Sequence, residues 1–206
     1  MIRCDVQLDD WHDLVQNAFH HHGVVIMPTD TVYGFSCDAR DREAVEKIFE
    51  LKHRPESRPL LVLASNLEMV KSCSIVSEEF EEWIAQYWPG PLTTILEARP
   101  GIFAPEGLAF GSTVAIRIPS SGIARECVEL NGAPLISSSV NRSGHPPLRT
   151  IRQILAEFAS SDPRPDVLLD AGDIPDVLPT TIVDCVRSPW RIVRNGSLIP
   201  IFPHVT

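Results

Sequence analysis

Residues 24–39 read VVIMPTDTVYGFSCDA, an apolar run that gives way at Thr29 to hydroxyl and carboxylate side chains. Four apolar residues closed by a proline predict a short buried strand over 24–28. The segment that follows, 29–39, has Tyr33 in its middle with Gly34 beside it, and reads as a polar loop. Polar residues leaving a strand end are well placed for ligands, so a first candidate site lies here.

On the N-terminal side, Asp9 or Asp10 can cap a helix whose Leu14, Val15, Ala18 and Phe19 share one face, with Gly23 placed to stop it. His20, His21 and His22 crowd its end, where positive charge is tolerated and no cysteine or acidic neighbour suggests a metal. On the other side, Asp41 can cap a helix over 42–54 with Val45, Ile48 and Phe49 on one face, and Pro55 forces its end. Lys52, Arg54 and Arg58 therefore gather on its last turn and the loop beyond.

Further strands are predicted in LLVLA (60–64), PGPLTTILEA (89–98) and TVAIRIP (113–119), the last placing Val114, Ile116 and Ile118 on one face and Ala115 and Arg117 on the other. PLISSSVNRSG (134–144) starts as a buried strand and turns into hydroxyls, an amide and a glycine, and DVLLD, TTIVDC and WRIVRNG supply strands in the last third. Helices are predicted from Ser77, near 121–130, and after a capping box made by Thr150 and Gln153. Strands and helices mix without strict alternation. An α/β chain of the α+β type follows: one domain, an open, twisted mixed sheet with helices packed on it.

The 206 residues carry 27 acidic and 18 basic side chains, a net charge of -9, so a broad positive field for nucleic acid is excluded and any anion site is local. The five cysteines are widely spaced without a Cys-x-x-Cys pair, and read as reduced thiols. Neither a signal-peptide core nor a membrane-length apolar run occurs, and a soluble cytoplasmic protein is expected. Phosphate-loop, dinucleotide-fold, zinc-helix and nucleophile-elbow motifs are all absent. What remains are PTDTVYG (28–34), KHRPESRP (52–59) and SSSVNRSG (137–144), with PTTIVD (179–184) and Arg194 as additions. Arginine forks, a lysine and hydroxyl or amide groups suit a ligand rich in anionic oxygen, handled by positioning and charge neutralisation.

These blocks, together with YWPGPLT, STVAIRIP and RIVRNG, occur in the order that marks the YrdC/Sua5 family of L-threonylcarbamoyladenylate synthases, which the chain resembles from about residue 10 to residue 198. The resemblance is to the single-domain YrdC/TsaC-like form, without the second C-terminal domain of longer members. It implies a YrdC-like fold with a deep concave cavity. It also implies a nucleotidyltransferase that joins L-threonine, bicarbonate or CO2, and ATP into threonylcarbamoyl-AMP and pyrophosphate for the t6A modification of tRNA. Mg²⁺ would enter on ATP rather than through protein ligands, and downstream machinery would transfer the threonylcarbamoyl group. By resemblance Lys52, Arg54, Ser139 and Asn141 form the signature tetrad. Arg54, Arg58, Thr113, Ser139, Asn141, Arg149 and Arg194 fall to ATP; Thr31, Tyr33, Arg117, Ser137, Thr180 and Thr181 fall to threonine. Leu63 departs from the pattern, standing where many members carry histidine. Two alternatives remain: an RNA-binding module using the same concave surface for tRNA, and carbamoyl transfer as in hydrogenase maturation proteins, which the lack of their accompanying segments disfavours.

Overall fold

A computed structural model describes residues 1–7, 10–55, 60–103 and 112–203. Its strands are β1 (Ile2–Asp5), β2 (Val25–Pro28), β3 (Tyr33–Asp38), β4 (Leu61–Leu63), β5 (Leu92–Glu97), β6 (Thr113–Arg117), β7 (Leu135–Ser139), β8 (Val167–Asp170), β9 (Thr181–Asp184) and β10 (Arg191–Arg194). The helices are α1 (His12–His20), α2 (Arg42–Lys52), α3 (Leu67–Cys73), α4 (Glu78–Ile84), α5 (Gly122–Asn131) and α6 (Ile151–Phe158). All ten strands join one open sheet in the order β1-β8-β2-β3-β7-β4-β6-β5-β9-β10, with parallel and antiparallel pairs mixed as expected. No helix among the described residues is long and apolar enough to cross a membrane.

The opening stretch is a hairpin rather than a strand and a loop. Only 29–32 turn; Tyr33–Asp38 run back antiparallel to β2, from Pro28↔Tyr33 to Val25↔Ser36. The misreading has a physical cause. Tyr33 to Cys37 are all buried, because β3 is paired on both edges, by β2 and β7, and covered on both faces. Such a strand need not alternate, and small polar residues such as Ser36 can serve inside it. The strand β1 and the helix α3 also went unread.

Local rules did set most helix starts. Asp41, Ser77 and Thr150 accept from the amides of Ala44, Phe80 and Gln153, and Gln153 completes the capping box. For α1 the N-cap is Trp11, which has no capping side chain; Asp10 lies one residue earlier and Asp9 outside the described residues. Gly23 does close this helix, since its amide bonds Ala18 O at 2.8 Å and a Cβ there would stand 2.5 Å from that oxygen.

Alternate strand residues divide the core between the two faces. Ile26, Val62, Ile136 and Leu168 join Ile48, Phe49, Phe158 and Trp83 on one side. Val25, Met27, Leu63, Leu135 and Leu169 join Val15, Phe19, Cys127 and Val128 of α1 and α5 on the other. Farther along that second face the same alternate positions, Leu61, Ala115, Ser137 and Ser139, line a cavity instead. Within the first face Phe158 meets Phe35 edge-on at 5.0 Å between centroids and carries the Arg142 guanidinium 4.9 Å above its ring. Phe158→Ala is expected to cost about 3–5 kcal/mol of stability, read from the urea unfolding midpoint.

Candidate functional site

The cavity holds about 350 Å³ and is lined from β4, β6 and β7, the 29–32 turn, Arg54 after α2, and the β9–β10 hairpin. Arg54, Arg117 and Arg194 lie on its wall with Thr31, Ser137, Ser139 and Thr180, and no carboxylate is among its described lining residues. The turn that brings Thr31 in is held by Thr29, whose Oγ1 donates to Val32 O at 2.7 Å and accepts from the Thr31 and Val32 amides. Threonine there replaces the backbone's missing partners, the usual use of a hydroxyl in a turn.

Helix α2 ends against the loop after β7. The Leu51 carbonyl takes a bond from Arg142 Nη1 at 2.7 Å, and the Lys52 carbonyl one from the Ser143 amide at 2.7 Å. In return the buried Lys52 ammonium donates to Ser139 O, to Asn141 O at 3.1 Å and to Asn141 Oδ1 at 3.0 Å. An ammonium has three donors, so all are used within the protein. Asn141 is equally occupied: Oδ1 also accepts from Ser139 Oγ at 2.6 Å, and Nδ2 donates to Arg142 O and His145 O. Burial, and then the charge of Arg54, lower Lys52 to about 7 from the usual lysine value of 10.5. The expected tetrad thus divides, with Arg54 and Ser139 on the wall and Lys52 and Asn141 behind it.

Arg117, 2% exposed, donates through Nε to Gly90 O at 2.7 Å and through Nη2 to Asp30 Oδ2, while Nη1 stands 3.5 Å from Thr31 Oγ1. Arg117, which the resemblance gives to threonine, already meets a carboxylate inside the protein. Asp30, the partner that holds Arg117, is signalled in the sequence only by its place between two threonines at a strand end. Arg194 is held differently, by the carbonyl and hydroxyl of Thr180 at 2.9 to 3.1 Å. Burial presses both guanidinium groups toward lower proton affinity, and the Asp30 charge opposes this at Arg117. Leu63 lies opposite Arg117 in parallel register and brings an apolar side chain to the wall.

Residues 17–196 match the Sua5/YciO/YrdC family, described as telomere recombination. The chain belongs to this family. Among Sua5/YciO/YrdC relatives, the threonylcarbamoyl-AMP synthase of Pyrococcus abyssi is 30% identical over 195 residues, 93% of this chain and 56% of its own length. That of an Enterobacter species is 36% identical over 145 residues, 68% of this chain and 75% of its own. The chain thus spans little more than half of the first relative and three quarters of the second. The crystal structure of P. abyssi Sua5 complexed with L-threonine has the same fold, with a TM-score of 0.85 at 29% identity over 96% of this chain and 57% of that one.

Several expected Sua5/YciO/YrdC site residues lie off the cavity wall. Tyr33 is fully buried; its hydroxyl donates to Gly172 O at 2.7 Å and accepts from the Ala171 amide, so it ties β3 to the turn after β8. Thr181 turns away from the cavity, its hydroxyl donating to Leu198 O and accepting from the Gly196 amide at 3.0 Å, which leaves Thr180 as the lining threonine. Arg149 binds Pro175 O, Val177 O and Asp176, holding down a surface loop. Thr113 begins β6 opposite Glu97 and does not line the cavity, and Arg58 lies outside the described residues. The lowered Lys52 value means that the folded chain binds fewer protons than the unfolded one between about pH 7 and 10.5. Stability relative to Lys52→Met should therefore rise through pH 7 to 9, by about 1 kcal/mol per pH unit, in urea unfolding series of the two proteins.

Proposed function

We propose that the chain condenses L-threonine, bicarbonate or CO2, and ATP into threonylcarbamoyl-AMP and pyrophosphate, as a single YrdC-like domain. The observation that carries this reading is the cavity itself: three arginines and several hydroxyls face one space in a chain of net charge -9, with no carboxylate on the described wall. Its volume of about 350 Å³ falls within the range of small-molecule sites. That a Sua5 relative has been crystallised with L-threonine supports an amino acid as one occupant.

The threonine amine takes up CO2 to give a carbamate. A carbamate oxygen attacks the α-phosphorus of ATP, and the bond to the leaving pyrophosphate breaks. Negative charge grows on the phosphate oxygens as this happens, and fixed guanidinium groups stabilise it with little reorganisation. Arg54 and Arg194 serve the phosphates, Arg117 the amino acid carboxylate, and Ser137, Ser139 and Thr180 orient both substrates. Lys52 and Asn141 hold Ser139 rather than touch ligand. Mg²⁺ would arrive on the phosphates as part of the nucleotide substrate. The product would pass to separate proteins that modify tRNA.

Pyrophosphate release from ATP is expected to require both L-threonine and bicarbonate, and Arg54→Ala to lower it about 100-fold or more. Release that ignores threonine defeats the assignment. Salt-sensitive tRNA binding without such release would instead favour an RNA-binding role.

A further inference from the structure

Strand β5 carries two adjacent threonines, Thr93 and Thr94, to which the chemistry above gives no task. Adjacent side chains on a strand face opposite ways, and Thr93 is the one on the cavity wall. Its Oγ1 lies 2.9 Å from Oγ1 of Thr180, the residue before β9, and that second oxygen also accepts from Arg194 Nη2 at 2.9 Å. Residues from β5, the start of β9 and β10 therefore meet at one hydroxyl oxygen.

By distance alone either threonine could donate to the other; the arginine and burial decide. A hydroxyl has one O–H and two lone pairs, and a guanidinium only donates, so Arg194 fills one lone pair of Thr180. Thr93 is 1% exposed, and Thr180 is the sole partner of its hydroxyl among the described residues. Were Thr180 the donor, the Thr93 proton would be buried without an acceptor, which is the unfavourable arrangement. Thr93 therefore donates, and both lone pairs of Thr180 are filled. What Thr180 still offers is its own proton, on a wall that opens to ligand. Beside it, Arg194 spends Nε and Nη2 on Thr180 and keeps Nη1 without a partner among the described residues.

We propose that Thr93 is a positioning residue: by donating to Thr180 it fixes the Thr180 hydroxyl as a donor, so that Thr180 and Arg194 together receive an anionic oxygen of a substrate, carboxylate or phosphate. This rests on the reading of the cavity as the site for an amino acid and ATP. It gives Thr180 a polarity, excluding a ligand N–H at its oxygen, and it makes a buried threonine that need not touch substrate part of recognition.

Calorimetric titration of the intact chain with L-threonine, and separately with a non-hydrolysable ATP analogue and Mg²⁺, tests this. Thr93→Val keeps the shape and removes the hydroxyl. It should weaken one of the two ligands by about five-fold, the worth of one hydrogen bond, and leave the other within about two-fold, while Thr93→Ser binds as the wild type does. Loss of L-threonine identifies the oxygen as carboxylate, and loss of the nucleotide identifies it as phosphate. In a Thr180→Val background, Thr93→Val should add less than about two-fold, because its route to the ligand is gone. A further loss there as large as in the wild type shows that Thr93 acts by packing and overturns the assignment. Thr93→Val binding both ligands normally, or weakening both alike, overturns it too. Should Thr93→Val not fold, crystal structures of the wild type with each ligand decide: Thr180 Oγ1 against a ligand N–H, or against no ligand oxygen, is fatal. If the folded wild type binds neither ligand, the reading of the cavity falls and this role with it; failures confined to the variants leave that reading standing.

Discussion

A buried ammonium holds this site together. Lys52 ends α2 with its three donors on the carbonyls of Ser139 and Asn141 and on the Asn141 side chain, 87 and 89 residues away in sequence. The debt runs both ways, because Arg142 and Ser143 of the same loop satisfy the last carbonyls of the helix. A helix end and a strand end each lack partners, and here each completes the other. Removing either side would leave charge or carbonyls buried without partners, the costliest kind of loss in a protein interior. The wall inherits its geometry from this joint, since Arg54 follows Lys52 by two residues and the Ser139 hydroxyl is bonded to Asn141.

That joint shows how an acidic chain can present a local cationic cavity. Arg54 comes from the joint, Arg117 from the end of β6, and Arg194 from β10, where the hairpin is pressed so close that a Cβ on Gly196 would stand 2.2 Å from Pro179 O. Three separate elements therefore deliver one guanidinium each. Apolar neighbours sharpen their effect, because Leu60, Leu61 and Leu63 share the wall and lower the local dielectric. Leu63 adds to this apolar character without offering a hydrogen bond.

Much of the site was legible from the chain alone. Thr31, Arg54, Arg117, Ser137, Ser139, Thr180 and Arg194 were all singled out and all line the cavity. Resemblance to the family assigned them to ligands; the residues alone showed that polar groups abruptly following an apolar strand, as at Thr31, Ser137 and Ser139, sit near its end, where a sheet opens to ligands. Tyr33, Thr181 and Arg149 were ligand contacts by resemblance to the family; adjacent residues on a strand point to opposite faces, so Thr180 and Thr181 take opposite sides, while Arg149 holds a surface loop.

Periodicity and caps are interactions between residues two to four apart, and those the sequence could determine unaided: the strand of Val114, Ile116 and Ile118, the helices begun by Asp41, Ser77 and Thr150, the polar strand ends. Only the tertiary structure decided that Tyr33–Asp38 is an interior strand, since being covered on both faces erases the alternation that marks a strand. It alone decided that Lys52 turns inward and that Asp30 meets Arg117 across 87 positions. Whether a charge faces a ligand or a buried partner depends on which distant oxygens folding brings within reach, and no local pattern encodes that distance.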